Sequence, residues 1–214
     1  SPLSLCDYDS EDLFQKLLAE HPALLADVAG DERRLLLVQR EASVPDELTG
    51  VGRWSLDHLF LDRQGVPVLI EVKRATDTRS RREVVAQMLD YAANGVAYWP
   101  IEQIIAAHAA TAQASDENPD EALAIFLGGE DAEPFWRQVE ANLRSGRIRM
   151  VFVADRIPKE LRRIVEFLNE QMRPAEVLAL QVEQYTGDKG LRMLMPRLIG
   201  QTERAASSKS VTQA

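Results

Sequence analysis

A single cysteine, Cys6, stands in the 214 residues, so the chain can close no intramolecular disulfide and build no cysteine-based zinc site. Histidine is almost as scarce. His21, His58 and His108 lack the spacing of a metal-ligand pair, which leaves histidine out of the expected chemistry. No apolar run approaches the roughly 20 residues that a membrane-spanning helix needs, and the N-terminus lacks the basic, apolar and small-residue layout of a secretory signal. A cytoplasmic protein with no membrane partner is therefore expected. No internal repeat divides the chain.

Positive charge is also in short supply. The balance of 25 Lys and Arg against 34 Asp and Glu gives −9, which argues against a uniformly basic surface for nucleic acid. The distribution is uneven, however. Lys73, Arg74, Arg79, Arg81 and Arg82 crowd one stretch and seven cations between Arg144 and Arg163 crowd another, while seven acids between Asp116 and Glu133 concentrate the negative charge between them. An acidic average can hide a basic groove; the plain alternative is a set of solvated faces.

Ordinary globular proportions, 45% hydrophobic and 28% charged, fit one well-buried core or a core with a sizeable insertion. Asp9-Ser10-Glu11-Asp12 reads as a capped helix start, and His21-Pro22 as its end. A short helix or turn follows at 23–29. Strands are expected from Leu35 towards Ala42, from Trp54 to Asp62 and from Val66 to Lys73, with a loop at 45–52 and a turn at Arg63-Gln64-Gly65. A helix over 79–93 shows Val84, Val85, Met88, Leu89 and Ala92 on one face, with Gly95 as its C-cap. Helices at 101–113, 119–127 and 133–144 form an Ala-, Gln- and acid-rich insertion. Strand character resumes at 148–153; a helix from Pro158 to Asn169, a strand at 177–182 and a short edge strand at 191–195 complete the order. That order predicts an α/β sandwich whose mixed central sheet is covered on both faces.

The third strand is apolar, yet it ends in Glu71-Val72-Lys73. Side chains alternate along a strand, so Leu69, Glu71 and Lys73 share a face. A turn centred on Gln64 sets Asp57 opposite Glu71, and one centred on Gly65 sets it opposite Lys73. Either register gathers the three charges, with neighbouring Cβ atoms roughly 5 to 8 Å apart. Two carboxylates so close, partly withdrawn from water, raise each other's proton affinity unless a cation intervenes. A divalent ion relieves that repulsion, and hard oxygen ligands suit Mg²⁺, with Mn²⁺ equally compatible. The Val72 carbonyl is placed to add a third oxygen. Lys73 would orient a water or stabilise charge on a phosphate, which fits metal-assisted hydrolysis of a phosphodiester.

Asp57 followed by Glu71-Val72-Lys73 on consecutive strands, after a glutamate-bearing helix, resembles the PD-(D/E)XK nuclease superfamily with its restriction-endonuclease-like fold. The element order is similar over 10–93 and from 148 to about 185. The resemblance implies a three-layer sandwich with a helical insertion and Mg²⁺-dependent DNA cleavage, with Asp57 and Glu71 as metal ligands and Lys73 as the catalytic lysine. Gln87-Met88-Leu89-Asp90-Tyr91 matches the Gln-x-x-x-Tyr element that several branches carry on the next helix. One turn apart, Gln87 and Tyr91 would reach a water at the metal or the DNA backbone; Tyr91 also reads as a core aromatic. Glu11 matches the position from which many members bring another carboxylate, and a first-turn glutamate equally suits the helix dipole. Leu56 stands where the superfamily's name leads one to expect proline.

Arg79, Arg81 and Arg82 are candidate phosphate contacts, as is Arg74 on the opposite face of its strand. The resulting expectation is a Mg²⁺- or Mn²⁺-dependent deoxyribonuclease domain over 1–200, with its core at 10–97 and 148–196, its insertion at 98–147 and a flexible tail or linker at 201–214. The alternative is a nuclease-like module of little or no turnover that binds nucleic acid or a protein partner. DNA is the expected partner. A two-fold homodimer would suit paired cuts across a duplex, and the insertion or the tail would be the attachment for a further domain or protein partner.

Overall fold

A computed structural model describes residues 3–29, 34–44, 54–75 and 81–202, without the side chains of Trp54, Arg81 and Lys189. The elements are β1 (Ser4–Cys6), α1 (Glu11–Glu20), a 3-10 helix (Pro22–Val28), β2 (Leu35–Val44), β3 (Trp54–Asp62), β4 (Pro67–Lys73), α2 (Arg81–Tyr98), α3 (Ile101–Ala114), α4 (Pro119–Leu127), α5 (Ala132–Arg144), β5 (Arg149–Ala154), α6 (Lys159–Gln171), β6 (Glu176–Thr186) and β7 (Arg192–Ile199). The expected loop at 45–52, Arg79 and residues 203–214 of the tail lie outside the described residues.

The chain is an α/β protein built on one mixed seven-stranded sheet. β2, β3 and β4 run antiparallel, β4, β5 and β6 run parallel, and β7 returns antiparallel to β6. Gln181 of β6 pairs with both Ala154 and Arg197, whereas Gln184 pairs with Cys6 and Leu194. β1 therefore extends the edge of β6 that β5 occupies, and β7 holds the other. Three residues, too few to show a period, left β1 unread in the sequence. β7 reaches four residues further than expected, to Ile199, and carries Pro196, a residue confined within sheets to edges because it has no N–H for a further strand. At the opposite margin, Thr111 Oγ1 of α3 donates to Val38 O of β2 at 2.6 Å.

Alternation along the strands splits the apolar side chains into two cores. Val68, Ile70, Val72, Val151, Val153, Leu178 and Leu180 face Phe14, Leu18, Leu25 and Val28 of α1 and the 3-10 helix. Leu69, Met150, Phe152, Val177 and Ala179 face the layer built by α2 to α6. Helices of the expected insertion belong to this second core, through Ile104, Leu123, Phe126, Phe135 and Val139. Coverage on both faces accounts for the continuous apolar runs of β4 and β5.

Gly95 is not a C-cap. It lies buried inside α2, which continues to Tyr98, and a Cβ there would stand 3.1 Å from Cε3 of Trp99. The glycine makes room for an indole ring. Arg149 also departs from expectation: it belongs to no basic surface. Its guanidinium is buried and donates to Glu176 Oε2 at 2.6 Å, Val28 O at 2.8 Å and Asp62 Oδ2 at 3.2 Å. Asp62 meanwhile accepts from the backbone N–H groups of Gln64 and Val66 at 2.9 and 2.8 Å, closing the β3–β4 turn. Gly65 completes that turn with φ +69°, and a Cβ on it would meet Val139 N of α5 at 3.0 Å. Gly65→Ala is expected to lower unfolding free energy by about 1 to 3 kcal/mol in a urea titration, from the left-handed backbone and the close approach of a helix.

Candidate active site

The β3–β4 ladder runs from Leu61↔Pro67 to His58↔Ile70, so it centres on Gln64 and its continuation sets Asp57 opposite Glu71. β4 ends here, with Lys73 beside Ala154 of β5. α1 reaches the same strand end from the other layer and brings Glu11. Ser10 starts that helix, its Oγ accepting from Leu13 N at 3.0 Å, which fixes Glu11 in the first turn.

Lys73 gathers the acids. Its Nζ stands 3.0 Å from Glu71 Oε1, 3.3 Å from Glu11 Oε1 and 3.9 Å from Asp57 Oδ2, and it donates to Val72 O at 2.8 Å. Asp57 Oδ2 accepts from Val72 N at 2.6 Å. Three carboxylates thus surround one ammonium. Glu71 is only 1% exposed, and its Oε2 is buried with no hydrogen-bond partner among the described residues.

The electrostatics follow from that count. Burial pushes the Glu71 carboxyl up to about 7, and the Asp57 charge pushes the same way against the pull of Lys73. For Lys73 burial alone would lower the pKa, but Glu71, Asp57 and Glu11 outweigh it and hold the ammonium above its ordinary value. Lys73 stays charged while Glu71 only half ionises near neutrality. Among the described residues, three acids share one lysine.

Gln87 and Tyr91 lie on the face of α2 turned to β3. Gln87 Nε2 donates to the Tyr91 hydroxyl, which in turn donates to Ser55 O at 3.0 Å. Ser55 precedes Asp57 by two residues, so the pair fastens β3 beside its acid. Burial raises the Tyr91 phenol above its ordinary range, with the Glu71 and Asp57 charges adding to the effect. Tyr91 is itself buried at 2% exposure, and holds backbone in place.

Arg74, directly after β4, donates to Tyr8 O at 3.1 Å and Asp9 O at 3.2 Å, tying the strand end to the lead-in of α1. Asp155 answers from β5. Its Oδ1 accepts from Ala75 N at 2.6 Å and from Arg156 N at 2.9 Å. The sequence reading missed this aspartate, whose signal is its place directly after the apolar run of β5. Arg82 is exposed on α2, and the side chain of Arg81 lies outside the described set. His58 is fully buried, with Nε2 2.9 Å from Gln15 O. Burial drops its pKa to about 4, only partly offset by that carbonyl, so the ring stays neutral.

Oxygen donors at the site are the Asp57, Glu71 and Glu11 carboxylates and the Val72 carbonyl. Among the described residues no group of three His, Cys, Asp or Glu side chains forms a ready metal cage. Mg²⁺ requires none, since it binds through one or two carboxylates and fills its remaining positions with water and substrate phosphate. The buried Glu71 Oε2, without a partner among the described residues, and the gathering of acids around Lys73 fit such an ion. No protein-family model, curated protein or solved structure matches the chain. Among the described residues no helix is long and apolar enough to cross a membrane.

Proposed function

We propose that the chain is a metal-dependent nuclease of the PD-(D/E)XK kind, with the restriction-endonuclease-like arrangement of its sheet, and that it hydrolyses DNA phosphodiester bonds. One observation carries the reading: a buried glutamate and an aspartate from adjoining strands meet at one lysine, and the glutamate keeps an oxygen without a partner among the described residues. Mg²⁺ or Mn²⁺ would be held by Asp57, Glu71 and the Val72 carbonyl, and when bound supplies a Lewis acid for the phosphate. Lys73 keeps its proton and offers an ammonium to charge developing on the phosphate oxygens. Glu11 steadies that ammonium from the α1 side. Gln87 and Tyr91 hold β3 through Ser55, so that Asp57 keeps its place opposite Glu71.

Incubation with plasmid, linear and single-stranded DNA tests the reading. Cleavage is expected with Mg²⁺ or Mn²⁺ and none with chelator. Salt-sensitive binding without cleavage under any cation would favour the nuclease-like binding module instead.

Glu71 also sets a pH dependence. Below about 7 its carboxyl holds a proton in the folded chain and must release it to take a cation, so calorimetric Mn²⁺ affinity is expected to rise with pH up to about 7 and to level off above it. Without cation the sign for stability is opposite. The unfolded chain loses this proton first, so the fold loses stability as the pH climbs from the ordinary glutamate value of 4.5 towards 7. Thermal midpoints in chelator should show that loss in the wild type and lack it in Glu71→Gln.

A further inference from the structure

We propose that DNA crosses the site over the β5–α6 connection, where Arg156, Lys159 and Arg163 bind its phosphates. The assignment rests on the nuclease reading for what the DNA does there, but not for whether it binds.

Residues 156–163 carry four cations and one acid, Glu160, in a chain whose net charge is −9. Arg156, Lys159 and Arg163 are exposed, and among the described residues none of the three forms an ion pair. Elsewhere the exposed cations of helices α1 and α5 are occupied: Lys16 pairs with Asp12, Arg137 with Glu133 and Arg144 with Glu140.

Position is fixed by the sheet. Lys73 and Ala154 are register partners on neighbouring parallel strands, about 4.8 Å apart, and Arg156 follows two residues later. The Asp155 carboxylate ties this turn to Ala75, the second residue past Lys73, so Arg156 cannot drift from the strand end. Lys159 and Arg163 are one turn apart on α6 and share a face. Their Cα atoms lie about 6 Å apart along the helix axis, so two long cationic side chains on one face can reach phosphates of one duplex strand. Arg162 is half-buried and lines a cleft of about 300 Å³ with Glu166 and Arg197, which gives it a different setting. Arg74 is already bonded to Tyr8 O and Asp9 O. Among the described cations, Arg82 is also exposed, at the start of α2, while Arg156, Lys159 and Arg163 stand together at the β5–α6 connection.

Anisotropy of a short fluorescein-labelled duplex, titrated in chelator over a series of salt concentrations, tests the assignment. The variant Arg156→Gln/Lys159→Gln/Arg163→Gln should bind more weakly at every salt concentration, with the slope of log K against log salt reduced by about 2 to 3. A charge-matched variant, Arg137→Gln/Arg144→Gln/Arg173→Gln, should bind like the wild type. The proposal is overturned if the two triple variants behave alike or if the wild type shows no salt-dependent binding. If binding and slopes come out as expected while no cation supports cleavage, the nuclease reading fails and the phosphate track stands.

Discussion

Lys73→Ala is expected to lower DNA cleavage by about two orders of magnitude or more at saturating substrate, the usual cost of removing a group that stabilises transition-state charge in a sheltered site. Lys73 is the amine within 4 Å of Glu71, Glu11 and Asp57, and it is held charged by them. Its loss removes a cation from the phosphate's surroundings and leaves three acids facing one another. Binding in chelator should survive, because the proposed phosphate contacts lie on α6 and the turn before it. The loss therefore belongs in kcat rather than KM. Circular dichroism of the variant separates chemistry from folding. Glu71→Gln should be similarly impaired and should also lose calorimetric Mn²⁺ binding. A Lys73→Ala protein that cuts plasmid at the wild-type rate would remove the amine from the mechanism.

The second large effect is on stability. Arg149→Met is expected to cost about 3 to 5 kcal/mol in urea unfolding, the range seen when one partner of a buried ion pair is removed. Asp62, 2% exposed, would keep its charge with no guanidinium beside it, and Val28 O would lose its donor. Burial already raises the Asp62 pKa, against the pull of the Val66 N–H and Arg149. Adding Asp62→Asn to Arg149→Met should recover part of the loss, because the amide oxygen can still accept from Gln64 and Val66 while the buried charge is gone. A double-mutant cycle reports this coupling. Strict additivity of the two substitutions would show that the pair contributes nothing beyond its separate contacts.

Much of the candidate site was legible because it depends on short-range geometry. A two-residue period and a tight turn suffice to bring Asp57 opposite Glu71 and to put Lys73 at the strand end. The helix period likewise placed Gln87 and Tyr91 together. Contacts between distant segments left no such trace. Arg149 looked like part of a basic run because its partners Asp62 and Glu176 lie 87 and 27 residues away. Arg74 gave no sign of bonding to Tyr8 and Asp9, which depends on how α1 meets the end of β4. Gly95 resembled a helix stop because a glycine that accommodates a neighbouring ring and one that ends a helix look alike in a single sequence. β1 was missed because three residues carry too little alternation to show a period, and its pairing with β6 spans almost the whole chain.

The margins of the sheet bear on how the molecule behaves when concentrated. The outer strand β2 gives its Val38 carbonyl to a threonine of α3, and the opposite outer strand β7 carries Pro196 in its middle. A newcomer strand would have to prise off a helix on one side and forgo a backbone donor on the other. These two edges resist edge-to-edge stacking of intact molecules, and under the proposed function a pair of copies cutting both strands of a duplex would meet elsewhere than along β2 or β7.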